Sequence, residues 1–156
     1  MPSELMAAEY LRSAGIPYSV HEHVALSRPE EYALAGFNYA TSAKTLAFSV
    51  PSGALLVAIP GPARLNYGLL ARAVDIPRAR IRPADGPLLA KLGMKPGGVC
   101  PFIEPGLSRT VLDSSLFEFP RIFCGSGDPC FTIELSPTVL GQACPDATVA
   151  SVIDEV

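Results

Sequence analysis

The stretch from Ala43 to Pro60, "AKTLAFSVPSGALLVAIP", constrains the fold more than any other part of the chain. Two apolar runs flank a Pro-Ser-Gly turn, so the stretch reads as strand, turn and strand: a hairpin. Side chains alternate along a strand with period two. In the first run Lys44, Leu46, Phe48 and Val50 therefore share one face, and Thr45, Ala47 and Ser49 share the other. The one charge of the hairpin falls on the apolar face. A lysine at the end of an inward row either snorkels out past the strand end or stands at the mouth of a pocket.

Other elements follow from punctuation and periodicity. Ser3 is placed to cap a first helix that ends at Gly15, with Leu5, Ala8 and Leu11 on one face. "IPYSVHEH" alternates as a strand, and Pro17 sets it near a sheet edge. "SRPEEYALAG" reads as a short helix with Ser27 or Arg28 at its cap. "NYGLLARAVD" is helical behind Asn66, and "ADGPLLAKLG" forms a second short helix. "RTVLDSS" and "RIFCGSGDPCFTIEL" contribute three strands, the last two joined by a glycine turn. "SPTVLGQAC" opens a helix at serine and proline, and "ATVASVIDEV" fits either strand or helix. This irregular mixture with hairpin links favours an α+β fold over a doubly wound sheet. With 156 residues and neither repeats nor a linker, residues 1–156 read as one domain.

Composition removes several classes of function. Apolar residues make up 49% and charged residues 17%, which excludes disorder. No apolar run reaches the roughly 18–20 residues of a membrane span, and the start has no apolar signal core. A soluble, cytoplasmic protein is expected. Cys100, Cys124, Cys130 and Cys144 form no C-x-x-C pair and are expected to be reduced. The net charge of −3 argues against a general nucleic-acid binder, yet charge is uneven. Between Arg64 and Lys95 seven basic residues face only Asp75 and Asp85, so this third carries +5 and the rest −8. Such a segment is either solvated helix surface or a phosphate-facing patch.

Glycine and proline concentrate in "KPGGVCPF", "EPGLS" and "GSGDP". In the first, Gly97 and Gly98 permit close approach and Pro101 fixes the exit. Such a loop can present bare N–H groups to a carbonyl or phosphate oxygen. A plain turn between helix and strand would read the same way. His21 and His23 form H-x-H on one strand face, but no further ligand has zinc-like spacing. Cys124 and Cys130 flank the "GSGDP" turn. Asp113 ends a strand, where it can bind its own turn or line a pocket.

Four motifs in series resemble the YbaK/prolyl-tRNA-synthetase-associated domain family of free-standing aminoacyl-tRNA editing proteins. They are "AKTLAFSV", a strand opening with lysine; "LGMKPGGVCPF", with a glycine-x-x-x-proline loop ending at Pro101; "TVLDSSLFEF", a strand ending in aspartate; and "IFCGSGDPCFTIELSP", a glycine turn before an "I-E-L" strand. Order and spacing agree over most of the chain. The resemblance implies a mixed, barrel-like β-sheet flanked by helices, and hydrolysis of the ester of mischarged aminoacyl-tRNA, often tRNA for proline. It puts Lys44 in the place of the lysine important for deacylation and makes Gly98 and Pro101 catalytic-loop residues. It sets Gly97, Val99, Cys100, Phe48, Asp113, Gly125 and Gly127 around the substrate. Lys44 is followed by Thr45, and the late turn has no histidine, which points away from alanine-specific editors. A small amino acid such as cysteine or alanine is the expected acyl group. The implied partners are the 3′ acceptor end of a mischarged tRNA and an aminoacyl-tRNA synthetase, with neither membrane nor DNA; no cofactor or metal is expected. Arg72, Arg78, Arg80 and Arg82 become candidates for the tRNA backbone.

Two alternatives stay open. One is a tRNA- or synthetase-binding module that has lost activity. The other is a small-ester hydrolase using Cys100 as nucleophile with His21 or His23 as base.

Overall fold

The computed structural model describes residues 5–26, 28–104 and 106–155. Ser3 and Ser27, expected as helix caps, lie outside the described residues. The described residues form eight strands and five short helices: α1 (Met6–Ser13), β1 (Ser19–Glu22), α2 (Pro29–Leu34), β2 (Ser42–Val50), β3 (Gly53–Pro60), α3 (Tyr67–Val74), β4 (Arg82–Pro83), α4 (Gly86–Lys91), β5 (Arg109–Asp113), β6 (Ile122–Gly125), β7 (Phe131–Leu135), α5 (Pro137–Ala143) and β8 (Thr148–Ala150). Short 3₁₀ turns at Tyr39–Thr41, Arg78–Arg80 and Ser114–Glu118, together with β4, are additions that periodicity did not predict. None of the described helices is long and apolar enough to cross a membrane.

The strands make one mixed sheet in the order β1-β7-β6-β2-β3-β5-β8, with β4 on β2. This is the expected α+β architecture of a mixed sheet flanked by helices. The expected hairpin is its centre: β2 and β3 pair antiparallel from Ala43–Pro60 to Val50–Gly53. β1 lies at one edge, as Pro17 suggested, and among the described residues pairs with β7 alone. The ambiguous C-terminal stretch supplies β8, parallel to β5 at the other edge.

Local chemistry explains the helix starts. Asn66, Asp85 and Ser136 accept hydrogen bonds from the N–H groups of Leu69, Leu88 and Val139, at 2.9, 2.9 and 3.2 Å. Each satisfies a donor that the first helical turn leaves bare.

Both faces of the central hairpin are covered. Leu55, Val57 and Ile59 join Phe48, Val50, Leu70, Val74 and Ile81 in one core against α3. Ala54, Leu56 and Ala58 join Leu11, Leu112, Ile122, Ile133 and Leu140 in the other, against α1 and α5. Lys44 does share its face with Leu46, Phe48 and Val50. The face opposite is small rather than solvated: Ala43 and Ala47 pack into the other core, Thr45 is buried, and only Ser49 is exposed.

Candidate active site

Strand β2 changes neighbours along its length. At its start Ser42 and Ala43 pair in parallel with Phe123 and Cys124 of β6. Near its end Phe48 and Ser49 pair antiparallel with Pro83 and Arg82 of β4. Between them, Lys44–Leu46 has no strand partner on that edge among the described residues, although β3 holds the other edge.

The glycine loop, residues 96–100, fits beside this gap. A side chain on Gly125 would overlap the Val99 carbonyl, and a Cβ on Gly98 would lie 2.5–2.7 Å from the backbone of Asp128 and Pro129. Bare backbone is therefore needed at both positions. Loop and turn are then clasped: Gly127 N–H donates to Gly98 O at 2.6 Å and Lys95 N–H to Gly127 O at 2.8 Å. Lys95 Nζ adds an ion pair with Asp128 Oδ2 at 3.1 Å. The Asp128 carboxyl lies below the usual carboxylate range, chiefly because the Cys130 N–H donates to it, with Lys95 adding to the effect.

A cavity of about 240 Å³ opens here. Its wall includes Ser42–Thr45 of β2, Gly97–Val99 of the loop, Phe123–Gly125 of β6, Phe131 and Thr132 of β7, and His23, Leu26 and Tyr32. Lys44 is half-buried, and burial lowers its pKa from the usual lysine value. No ion pair or hydrogen bond holds it among the described residues. Thr45 Oγ1 is buried with no hydrogen-bond partner among the described residues. In the loop, Gly98 N–H is used by Lys95 O at 3.0 Å, and Cys100 N–H faces Met94 Sδ at 3.5 Å. The N–H groups of Gly97 and Val99 have no acceptor among the described residues.

The other predicted residues lie at varied distances from this cavity. Pro101 is buried behind the loop, and its carbonyl accepts from Cys144 Sγ. Cys100 is fully buried and outside the cavity wall; its thiol donates to Phe102 O at 3.2 Å, and burial pushes its pKa well up. Phe48 belongs to the core against α3. Asp113 is buried, and its carboxylate takes the Val152 N–H at 2.9 Å, the Ser115 N–H at 3.1 Å and the Ser115 hydroxyl. Gly127, at φ 100°, shapes the turn that backs the loop. Arg72, Arg78, Arg80 and Arg82 are exposed, but Arg78 is committed: its guanidinium lies 3.9 Å over the Tyr67 ring and donates to Ile81 O at 3.0 Å.

His21 and His23 share a face, and each ring meets Phe37 edge-on, at 5.4 and 5.3 Å. His21 Nε2 lies 2.8 Å from Glu134 Oε1, and Arg121 Nε donates to Glu134 Oε2 at 3.0 Å. His23, at the cavity wall, contacts Val24 O and Thr132 Oγ1. Among the described residues no group of three or more His, Cys, Asp or Glu side chains could hold a metal ion. The wall thus offers a cation, bare N–H groups and hydroxyls, which is the equipment for steadying negative charge on an oxygen. Sequence reasoning did not single out Tyr32, Phe123 and Thr132. Thr132 had a signal, since in "FTIEL" it alternates onto the polar face of its strand with Glu134.

No curated protein matches the sequence. Among solved structures, a scaffold used for computational epitope grafting is 27% identical, with TM-score 0.85, covering 100% of this chain and 99% of its own. A hypothetical protein is also 27% identical, with TM-score 0.78, covering 94% and 98%. A candidate trans-editing enzyme for prolyl-tRNA synthetase is 24% identical, with TM-score 0.83 and 99% coverage of both chains, and shares the fold. The model of the aminoacyl-tRNA editing domain matches residues 21–142, a span that holds Lys44, the glycine loop and the whole cavity wall, and on that match the chain belongs to the aminoacyl-tRNA editing domain family.

Proposed function

We propose that this protein is an aminoacyl-tRNA deacylase that hydrolyses the ester of a mischarged tRNA bearing a small amino acid. The observation that carries this reading is the meeting, at one cavity, of an unpaired half-buried lysine with two bare backbone N–H groups. An aminoacyl ester is already activated, so hydrolysis needs orientation and a home for the developing oxyanion more than a strong base. Val99 N–H, with Gly97 N–H, would face that oxygen, and the Lys44 ammonium would hold the acylated 3′ end. Water, or a group of the substrate itself, attacks. Gly98 and Pro101 act by shaping the loop, since Gly98 N–H is already used and proline has none.

The burial and raised pKa of Cys100 weigh against a thiolate nucleophile. Arg72, Arg80 and Arg82, exposed and without a partner among the described residues, are the better candidates for tRNA phosphates. A prolyl-tRNA synthetase is a candidate partner, by likeness to the trans-editing structure.

The test is a single-turnover hydrolysis panel of purified tRNAs charged with alanine, cysteine or serine, on tRNA for proline and on others. Cleavage above the spontaneous rate for at least one is expected, and Cys100→Ser should keep most of it. Binding without cleavage across the panel would leave an inactive module. An acyl adduct on Cys100, seen by mass spectrometry, would promote the cysteine hydrolase.

A further inference from the structure

One side chain of the cavity wall has its hydrogen-bond polarity set by a neighbour. The His23 ring lies edge-on to Phe37, with centroids 5.3 Å apart, and its backbone N–H donates to Cys130 O at 2.9 Å. Its Nδ1 lies 2.6 Å from Val24 O. A carbonyl oxygen only accepts, so Nδ1 carries a proton. In the neutral ring Nε2 is then bare and must accept. The group it meets, at 2.7 Å, is Thr132 Oγ1, which has the only proton that can fill the contact. The Thr132 hydroxyl is thereby committed as a donor to His23. What it has left for the cavity is lone pairs. Thr132 has no other side-chain bond among the described residues, and it lies at the wall with Lys44 and the glycine loop.

We propose that His23 is a positioning residue which turns Thr132 into an obligate acceptor, so that the cavity selects an acyl group bearing an N–H donor, the α-ammonium of an amino acid. This rests on the deacylase reading above and deepens it. The pairing suits the chemistry of the substrate: an α-ammonium has three donors and no lone pair, so a hydroxyl free to rotate would meet it in the wrong sense part of the time. Lys44 and Thr132 line the same cavity, and the Thr132 lone pairs give an ammonium a partner there that a further donor would deny it. An acyl group without the nitrogen leaves the Thr132 oxygen facing nothing, and a buried polar group without a partner is costly.

The experiment compares alanyl-tRNA with propionyl-tRNA, which differ by that ammonium, in wild type, His23→Phe, Thr132→Val and the double variant. Phenylalanine keeps an aromatic ring against Phe37, and thermal melting checks that each variant is folded. Because the α-ammonium itself activates the ester, each kcat/KM is divided by the spontaneous hydrolysis rate of the same ester; on that scale wild type should prefer the alanyl ester by about tenfold or more, the size of one charge-assisted hydrogen bond. Thr132→Val should bring this corrected ratio close to one. His23→Phe should cut it several-fold, mainly through KM, and the double variant should be no worse than Thr132→Val, because the two act through one contact. An unchanged ratio in either single variant, or losses that multiply, would overturn the proposal. A second readout needs no turnover: the ring ¹⁵N shifts of His23 should report the Nδ1–H form with bare Nε2, and an Nε2–H form would sink the proposal. Absence of cleavage of every aminoacyl-tRNA by wild type sinks instead the deacylase reading on which it rests.

Discussion

Lys44 and Phe48 lie on the same face of the same strand, four residues apart, and meet opposite fates. Phe48 is 2% exposed, with its ring edge-on to Tyr67, and its stretch of β2 is closed by β4 and by α3. Lys44 is half-buried, without a side-chain partner among the described residues, and lines a cavity. Strand alternation cannot distinguish them. What differs is the neighbour: at the Phe48 end bulky side chains fill the space, whereas at the Lys44 end Gly97, Gly98 and Gly125 bring backbone where side chains would stand. A row that points inward becomes core or pocket according to the glycines of other elements.

Truncating each of the two side chains in turn separates their roles. We predict that Phe48→Ala costs about 3–5 kcal/mol of stability, while the folded fraction keeps its deacylation rate. Lys44→Ala should do the reverse: stability within about 0.5 kcal/mol, and single-turnover deacylation lower by about a hundredfold. Lys44→Arg should rescue only in part, because the planar fork places its donors differently. Denaturant unfolding and single-turnover rates on the same preparations decide. A Lys44→Ala protein destabilised by several kcal/mol would make the lysine a core residue like its neighbour.

A second pair sets one glycine of each end against the other. A methyl on Gly98 would press on the Asp128–Pro129 backbone, so the loop must shift. Gly98→Ala is expected to lower deacylation by tenfold or more as the Val99 N–H moves, and to cost about 1–3 kcal/mol. Gly53, in the hairpin turn, has φ 131° and nothing near its missing Cβ. Gly53→Ala should cost about 1–3 kcal/mol as backbone strain and leave the rate per folded molecule unchanged. Equal activity losses in the two variants would deny the glycine loop any special role.

The arginines extend the comparison along the strand. Arg82 stands opposite Ser49, five residues from Lys44 and so about 16 Å along β2. If the acceptor stem runs that way from the cavity, Arg80→Ala and Arg82→Ala should each weaken tRNA binding several-fold and lower its salt slope by about one. Arg78→Ala should change stability more than the salt slope, since its guanidinium is already held by Tyr67 and Ile81. Filter binding between 50 and 200 mM salt measures both. Unchanged slopes would reduce the basic segment to solvated surface.

Local signals make most of the fold legible. Caps at Asn66 and Ser136, the Pro-Ser-Gly turn and the apolar runs beside it locate two of the helices and the hairpin from residue types and spacing alone. The 3₁₀ turns and two-residue β4 leave no trace, because such short elements are set by what they pack against. Lys44 is legible as a violation of pattern. His23 and Thr132 are not legible as a pair, since they lie 109 residues apart and meet only because β1 adds to the sheet beside β7. Asp113 reads ambiguously for a related reason: besides binding its own turn at Ser115 it holds the Val152 N–H, 39 residues on.

The smallest effect expected separates the two kinds of bond that hold the pocket. The loop and the glycine turn share backbone hydrogen bonds at Gly98 and Gly127, and beside them stands the exposed ion pair of Lys95 with Asp128. Asp128→Asn removes the charge and keeps an oxygen that can accept from Cys130 N–H. A surface pair contributes less than about 1 kcal/mol, so the variant should be slightly less stable at neutral pH and within about threefold in deacylation, an exposed pair being worth little beside the backbone clasp. The pH dependence fixes the sign. The Asp128 carboxyl is held low in the folded protein, so its stabilisation is present above the ordinary carboxylate range and is lost as pH falls through the depressed folded value. The gap in melting temperature between wild type and Asp128→Asn should therefore be constant near neutral pH and close below about pH 4. A gap that persists unchanged into acid would mean that asparagine disturbs the turn itself, and a large loss of activity would mean that the ion pair, and not the backbone clasp, holds the loop against β6.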